Sequence, residues 1–79
     1  MKLEKGLVVL SKAGRDKGCF FVVLSSEERY VFLIDGRMHP LERPKKKNRV
    51  HIAATKLHLP QESMVANSEI QKALKKLQG

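Results

Sequence analysis

The chain has 79 residues, of which 42% are hydrophobic and 30% charged, so it is long enough for one small globular domain with a modest core. A domain of this size leaves little room for a deep catalytic cleft, and we expect neither an enzyme nor a bound cofactor. Sixteen Lys and Arg against eight Asp and Glu give a formal net charge of +8, which indicates a polyanionic partner.

The first half of the sequence predicts three short strands. Continuous apolar runs at 7–10 and 19–24 are of strand length and are bounded by turn residues. A polar loop at 25–29 leads to a third strand at 30–34, which is rich in β-branched and aromatic residues. Cys19 follows a glycine at the start of an apolar run, and we expect it to be a small core residue. The four aromatic residues also lie in these runs: Phe20, Phe21, Tyr30 and Phe32. We expect them in the core, which argues against a base-stacking platform, because such a platform needs exposed rings.

The middle of the chain has fewer apolar residues than the first half and more residues that favour turns. Asp35-Gly36 predicts a tight turn, because both residues tolerate a positive φ. We interpret the next residues as an edge strand, followed by a basic loop at 43–49, since Pro40 and Pro44 exclude central ladder positions. Val50-His51-Ile52-Ala53 then predicts a last short strand.

The C-terminal part predicts an amphipathic helix. Residues 60–67 form a connector, and the pattern from Ser68 to Gln71 is that of a capping box. Apolar residues then recur at helical spacing, which predicts a helix over 68–78 with a stripe of Ile70, Ala73, Leu74 and Leu77. The stripe either packs on the strands or docks onto a partner, and the sequence leaves both open.

Together these elements predict a small antiparallel β barrel or sandwich at 1–58, followed by a connector and helix at 59–79. The strands are apolar on both faces, which is unusual for a free-standing antiparallel sheet. The second face therefore needs a cover, and the C-terminal helix is the candidate.

Positive charge is concentrated in the middle of the sequence. Residues 35–58 carry seven Lys and Arg against two Asp and Glu. A surface that only keeps a protein soluble would mix charges of both signs, whereas this stretch is nearly all positive. A second basic stretch lies between the first two strands, in Ala13-Gly14-Arg15-Asp16-Lys17-Gly18. Gly14 and Gly18 allow backbone conformations barred to other residues, and Arg15 and Lys17 can project from the turn. We expect Asp16 to fix this loop by accepting hydrogen bonds from local amides.

The same stretch resembles a known motif. GLVVLSKAGRDKG at 6–18, followed by FFVV at 20–23, resembles the KOW motif, in which a loop of the Gly-Lys/Arg-Asp-Lys-Gly type joins two strands. VFLIDG at 31–36 and RPKKKNRVHIAAT at 43–55 are similar to the ribosomal large-subunit KOW proteins of archaea and eukaryotes, and to small bacterial KOW-domain proteins. Many KOW sequences carry another glycine after the loop, where this chain has Cys19-Phe20-Phe21.

The resemblance implies a mostly β protein, a small SH3-like (KOW) antiparallel barrel, that binds RNA, usually ribosomal RNA. It implies that Gly18 is the key turn glycine of the motif. By the resemblance and the charge pattern together, two basic segments at 12–18 and 43–49 supply the RNA contacts. The candidate contacts are Lys12, Arg15, Lys17, Arg37, Arg43, Lys45, Lys46, Lys47 and Arg49, and the loop-shaping residues are Gly14, Asp16 and Gly18.

Other readings of the sequence stay open. One is a protein-interaction KOW module that docks on the transcription or translation machinery, with ribosomal proteins or another partner held at helix 68–78. The three histidines are far apart and lack metal-ligand spacing, so we expect no metal site. The start of the chain has no apolar segment of the secretory type, and no apolar run is long enough to cross a bilayer. We therefore expect a cytoplasmic protein with no membrane partner.

Overall fold

The structure is a computed structural model that describes residues 3–77. It is mostly β, with five antiparallel strands in one sheet and one C-terminal helix. The strands are β1 (Leu7–Ser11), β2 (Phe20–Ser26), β3 (Tyr30–Ile34), β4 (Lys45–Asn48) and β5 (Ile52–His58), and the helix is α1 (Asn67–Leu77). Two short 3₁₀ helices, Arg49–His51 and Gln61–Val65, precede β5 and α1.

The sheet is open but strongly curved. Its strand order is β4-β3-β2-β1-β5, so β4 and β5 are the two edges and do not pair with each other. Only the 3₁₀ helix Arg49–His51 separates these edges along the chain. Five flat strands would place the edges about 19 Å apart, from four spacings of about 4.8 Å, whereas a 3₁₀ helix rises only about 2 Å per residue. The sheet must therefore curl until its two edges approach each other.

The concave face of the curled sheet encloses the first core. It consists of residues from β1, β2, β3 and β5 and one residue that precedes the sheet, and all are buried: Leu3, Leu7, Val9, Phe21, Val23, Val31, Leu33 and Ile52. In each strand they alternate with residues of the opposite face, as the pleat requires. Register shifts between Leu7 and Val9 and between Val23 and Ser25 interrupt the ladders, and such bulges increase local bending.

The convex face carries the second core, and α1 covers it. Ile70 and Leu74 of the helix are buried against Val8, Val22 and Ile34 of the sheet. Met64, from the 3₁₀ helix in the predicted connector, joins them. The apolar stripe of the helix therefore packs on the sheet, which settles one of the open alternatives. The helix begins one residue earlier than predicted, and Gln78, its predicted end, lies outside the described residues.

The segment between β3 and β4 is tied to the start of the helix. The Asp35 carboxylate accepts hydrogen bonds from the backbone N–H groups of Arg37 and His39, both at 2.9 Å. The Asn67 side chain accepts from the Leu41 N–H at 2.8 Å, and Gln71 donates to the Gly36 carbonyl at 2.6 Å. These bonds hold the segment as a compact, irregular turn.

That turn explains one error of the sequence analysis. An edge strand was expected directly after Asp35-Gly36, with a basic loop over 43–49, but Lys45–Asn48 is itself the edge strand, β4. The Asp35 side chain bends the earlier segment, and Pro40 and Pro44 cannot donate to a ladder, so pairing with β3 begins only at Lys45. The last strand is also later and longer than the predicted 50–53.

Cys19 is exposed, so its expected place in the core was wrong. Its backbone still belongs to the turn, because its N–H donates to the Asp16 carbonyl at 2.9 Å, and β2 begins one residue later. Phe21 is buried, as expected, whereas Phe20, Tyr30 and Phe32 are only partly buried, so the expectation that all four aromatic side chains are enclosed in the core is met in full by Phe21 alone. Within residues 3–77, no helix is both long enough and apolar enough to cross a membrane.

Candidate nucleic-acid interface

The loop between β1 and β2, residues 12–18, is called the tip below. Gly14 and Gly18 have φ angles of 84° and 88°, so both use the conformational freedom that the sequence analysis attributed to them. The Gly18 N–H donates to the Ser11 carbonyl at 2.9 Å, and the Lys17 N–H donates to the Gly14 carbonyl at 3.2 Å. The tip is therefore a hydrogen-bonded turn of defined shape.

A cluster of polar side chains from the tip, β1 and β4 fixes the conformation of the tip. We call Asp16, Ser11, Lys45 and Lys47 the Asp16 cluster. Asp16 Oδ1 accepts from Ser11 Oγ at 2.6 Å and from Lys47 Nζ at 2.7 Å, and Asp16 Oδ2 lies 3.2 Å from Lys45 Nζ. Lys47 Nζ also donates to the Ala13 carbonyl at 2.9 Å. Asp16 thus fixes the loop through side chains of other elements, and local amides were the wrong expectation.

The cluster is largely shielded from water. The side chains of Asp16 and Lys47 are only 14% and 10% exposed, and that of Lys45 is 32% exposed. Lys45 and Lys47 lie opposite Leu33 and Val31 in the β3–β4 ladder, so they occupy the concave face of the sheet. They reach from one edge of the sheet to the loop that leaves β1, and this brings the two predicted basic segments together.

The pKa of Asp16 reflects these neighbours. Burial alone would raise the pKa of this carboxyl, but the hydrogen bonds from Lys47 and Ser11 and the contact with Lys45 outweigh it. The pKa of Asp16 therefore lies well below its usual range. The carboxylate is ionised at every pH near neutrality, and it offsets part of the positive charge of β4.

The remaining cations of the tip face the solvent. Lys12, Arg15 and Lys17 are all exposed, and they surround the turn that Gly14 and Gly18 shape. The Lys12 N–H donates to the His51 carbonyl at 2.8 Å, so the end of β1 is attached to the 3₁₀ helix before β5. The tip therefore presents three cations on a backbone that is anchored at both ends.

The other candidate contacts lie at several places. Arg37 and Arg43 are exposed in the turn that precedes β4. Lys46 is exposed on the convex face, with its Nζ 4.3 Å from the centre of the Tyr30 ring. Arg49 is bonded to the loop between β2 and β3, because its guanidinium donates to the Glu27 carbonyl at 3.0 Å. The structure brings Lys45 and Lys47 to the tip, but as partners of Asp16.

The sequence analysis assigned no role to an open cleft beside the tip, which we call the cleft. It has a volume of about 640 Å³ and lies between the start of β2, the turn after β3 and the helix. Its lining includes Cys19, Phe20, Arg37, Lys72, Leu74 and Lys75. The lysines of α1 lie off its apolar stripe, and no local sequence signal relates them to Cys19 and Phe20, which are far away along the chain.

Comparison of the sequence with models of known protein families gives no match, and a search of the curated proteins gives none either.

Proposed function

We propose that this chain is a non-catalytic RNA-binding module of the KOW type and that its curved sheet is an SH3-like barrel. The observation that carries the proposal is the tip: three exposed cations, Lys12, Arg15 and Lys17, on a turn fixed by the Asp16 cluster. A rigid, convex, basic turn suits a phosphate backbone, because little conformational entropy is lost when it binds. The sequence resemblance to the KOW motif covers the same residues.

The proposed contacts are mainly with phosphates. Arginine and lysine contacts of this kind position a protein and carry little base information. A folded RNA displays its shape and backbone, so it suits such a surface, and ribosomal RNA is the proposed partner, in the cytoplasm. In this proposal Arg37, Arg43 and Lys46 add to the attraction, while Lys45 and Lys47 act indirectly by holding the tip.

The proposal is tested by removing the two projecting cations of the tip. We expect Arg15→Ala/Lys17→Ala to weaken binding to a structured RNA by on the order of tenfold per lost contact. The slope of log K against log salt should become shallower by about 0.7–0.9 for each phosphate contact. Both are measured by fluorescence anisotropy at several salt concentrations.

The matched control is Lys5→Ala/Lys56→Ala, which removes the same charge from exposed positions away from the tip. It should keep most of the affinity, and neither variant should unfold below the wild-type temperature, because each loses two charges of the repelling excess. If the tip variant binds RNA as tightly as the wild type at moderate salt, the tip is not the binding site. Sedimentation with the large ribosomal subunit, with sequencing of crosslinked RNA, then identifies the RNA.

The alternative function, a protein-interaction module, was suggested partly by the apolar stripe of the helix, and that stripe is not exposed. Ile70 and Leu74 are buried on the sheet, so the apolar stripe of α1 is occupied within this chain. Such a module would bind RNA weakly and with little dependence on salt, and the same titrations distinguish the two functions.

A further inference from the structure

The cleft begins where the tip ends. Cys19 lines it and directly follows Gly18, the last residue of the tip. A polymer strand that crosses the tip therefore reaches the cleft within one residue of protein chain. The volume of about 640 Å³ lies within the range of pockets that hold small organic ligands, about 300–1,000 Å³.

The charge of the cleft favours an anion. Arg37, Lys72 and Lys75 line it, and Asp35 is the carboxylate among its lining residues. One oxygen of Asp35 is already engaged, because it accepts from the N–H groups of Arg37 and His39. The Lys72 ammonium is 4.0 Å from the Glu69 carboxylate on an exposed part of the helix, and such surface pairs contribute little. The cleft thus keeps an excess of positive charge.

The cleft also has an aromatic wall. Phe20, which is half-buried, lines it, whereas Leu74 belongs to the core between the helix and the sheet. An aromatic ring beside cations is the combination that binds unpaired bases, since every base has a π face and every nucleotide a phosphate. A base inside a duplex is stacked on its neighbours and cannot make this contact, whereas a bulged or looped base can.

We propose that the cleft receives one unpaired nucleotide of the RNA that is bound at the tip. Its base packs against Phe20, and its flanking phosphates lie beside Arg37, Lys72 and Lys75. This inference rests on the proposed function and narrows it, because the preferred ligand becomes a helical RNA with a bulged or looped nucleotide next to the stem.

The single cysteine of the chain provides a direct probe, because Cys19 is exposed and lines the cleft. The test compares two RNA hairpins with the same stem, one fully paired and one with a single bulged nucleotide. At saturating RNA we expect the bulged hairpin to slow the alkylation of Cys19 by N-ethylmaleimide by about tenfold relative to the paired hairpin. It should also bind about tenfold more tightly, since stacking contributes about 1–3 kcal/mol per base. A Cys19→Ser/Val65→Cys variant, with its thiol on another exposed surface, should be alkylated at the same rate with both hairpins.

Two double variants with equal charge loss separate the contribution of the cleft from general electrostatic attraction. Lys72→Gln/Lys75→Gln should bind both hairpins equally, while Lys56→Gln/Lys76→Gln should keep the preference for the bulged one. The cleft proposal is overturned if the wild type shows no preference and no protection of Cys19, or if Lys72→Gln/Lys75→Gln retains the preference. In those cases tight, salt-dependent binding of both hairpins leaves the proposed function standing. If neither hairpin binds, both proposals fail.

Discussion

At the scale of single residues, Asp16 is the side chain on which the shape of the tip depends. Its carboxylate is 14% exposed and joins Ser11 of β1 to Lys45 and Lys47 of β4, two strands that do not pair with each other in the sheet. Removing one partner of a buried ion pair leaves the other charge without compensation, and this costs more than the pair itself contributes. Lys47 would be the most affected, because its side chain is only 10% exposed.

We therefore expect Asp16→Asn, which keeps the shape but removes the charge, to lower the free energy of unfolding by about 2–4 kcal/mol at neutral pH. Urea denaturation followed by circular dichroism measures this. The matched control is Glu62→Gln, an exposed carboxylate, which should change stability by no more than about 0.5 kcal/mol. A loss of that small size for Asp16→Asn would mean that the cluster does not stabilise the fold.

The same variant has an expected pH profile. The pKa of Asp16 is lowered in the native protein, so its contribution is fully present above the pKa of the unfolded chain, about 3.9. As the pH falls below about 5, the unfolded state takes up a proton that the native state does not, and the contribution is progressively lost. The difference in stability between wild type and Asp16→Asn should therefore be constant from about pH 5 to 8 and shrink below that. A difference that stays constant into strong acid would contradict the assigned pKa direction.

The limits of sequence reasoning are visible in this cluster. A turn shaped by Gly14 and Gly18 could be predicted, because glycine adopts positive φ angles at little steric cost and both residues bound a short charged segment between two apolar runs. The partners of Asp16 could not, since Lys45 and Lys47 lie about thirty residues away and only the curvature of the sheet brings them close. For the same reason, a run of three lysines looked like one basic loop, although its members face opposite sides of a strand.

At the scale of elements, local sequence patterns predicted most of the strands and the helix, whereas the remaining features depend on packing between distant parts of the chain. The first three strands and the helix were predicted within one or two residues, because each has a periodicity or an apolar run of its own. β4 has neither: KKKN becomes a strand by pairing with the exposed edge of β3. The cleft was missed for a similar reason, since it forms only when α1 packs beside the start of β2.

The docking of the helix depends on Gly36. A Cβ atom at this position would overlap the carbonyl oxygen of Asn67, in the first turn of α1. Gly36 also has a φ of 78°, which is unfavourable for other residues. Gly18 offers a matched comparison, because its φ is 88° but a Cβ there would have no atom within 4 Å.

We expect Gly18→Ala to cost about 1–2 kcal/mol through the backbone alone, and Gly36→Ala to cost about 1–3 kcal/mol more, because the helix must shift. Parallel urea titrations of the two variants give the difference. The unfolded-state effect of replacing glycine is common to both and cancels. Equal losses in the two variants would indicate that the helix does not approach Gly36 as closely as the structure has it.

At the scale of the whole molecule, the excess positive charge that attracts a polyanion also destabilises the folded state. The chain has sixteen cations and eight carboxylates, so at least half of its cations have no carboxylate of their own. Asp16 contacts two of the lysines, which leaves seven carboxylates for the other fourteen cations. Self-repulsion of this excess destabilises the compact state, and salt screens it within about 8–10 Å at physiological ionic strength. The same surface that attracts an RNA therefore weakens the free domain.

We therefore expect added salt to stabilise the free protein and, at the same time, to weaken its binding to RNA. Between about 20 and 300 mM KCl, the melting temperature of the free protein should rise by a few degrees, because about 1 kcal/mol corresponds to about 4–8 °C in a domain of this size. RNA affinity should fall over the same range through counterion release. Thermal melts followed by circular dichroism test the first part, and Lys5→Glu/Lys56→Glu, with two exposed charges reversed, should show a smaller rise. A melting temperature that falls with salt would instead mean that attractive surface pairs outweigh the repulsion, and that the excess charge costs the fold nothing.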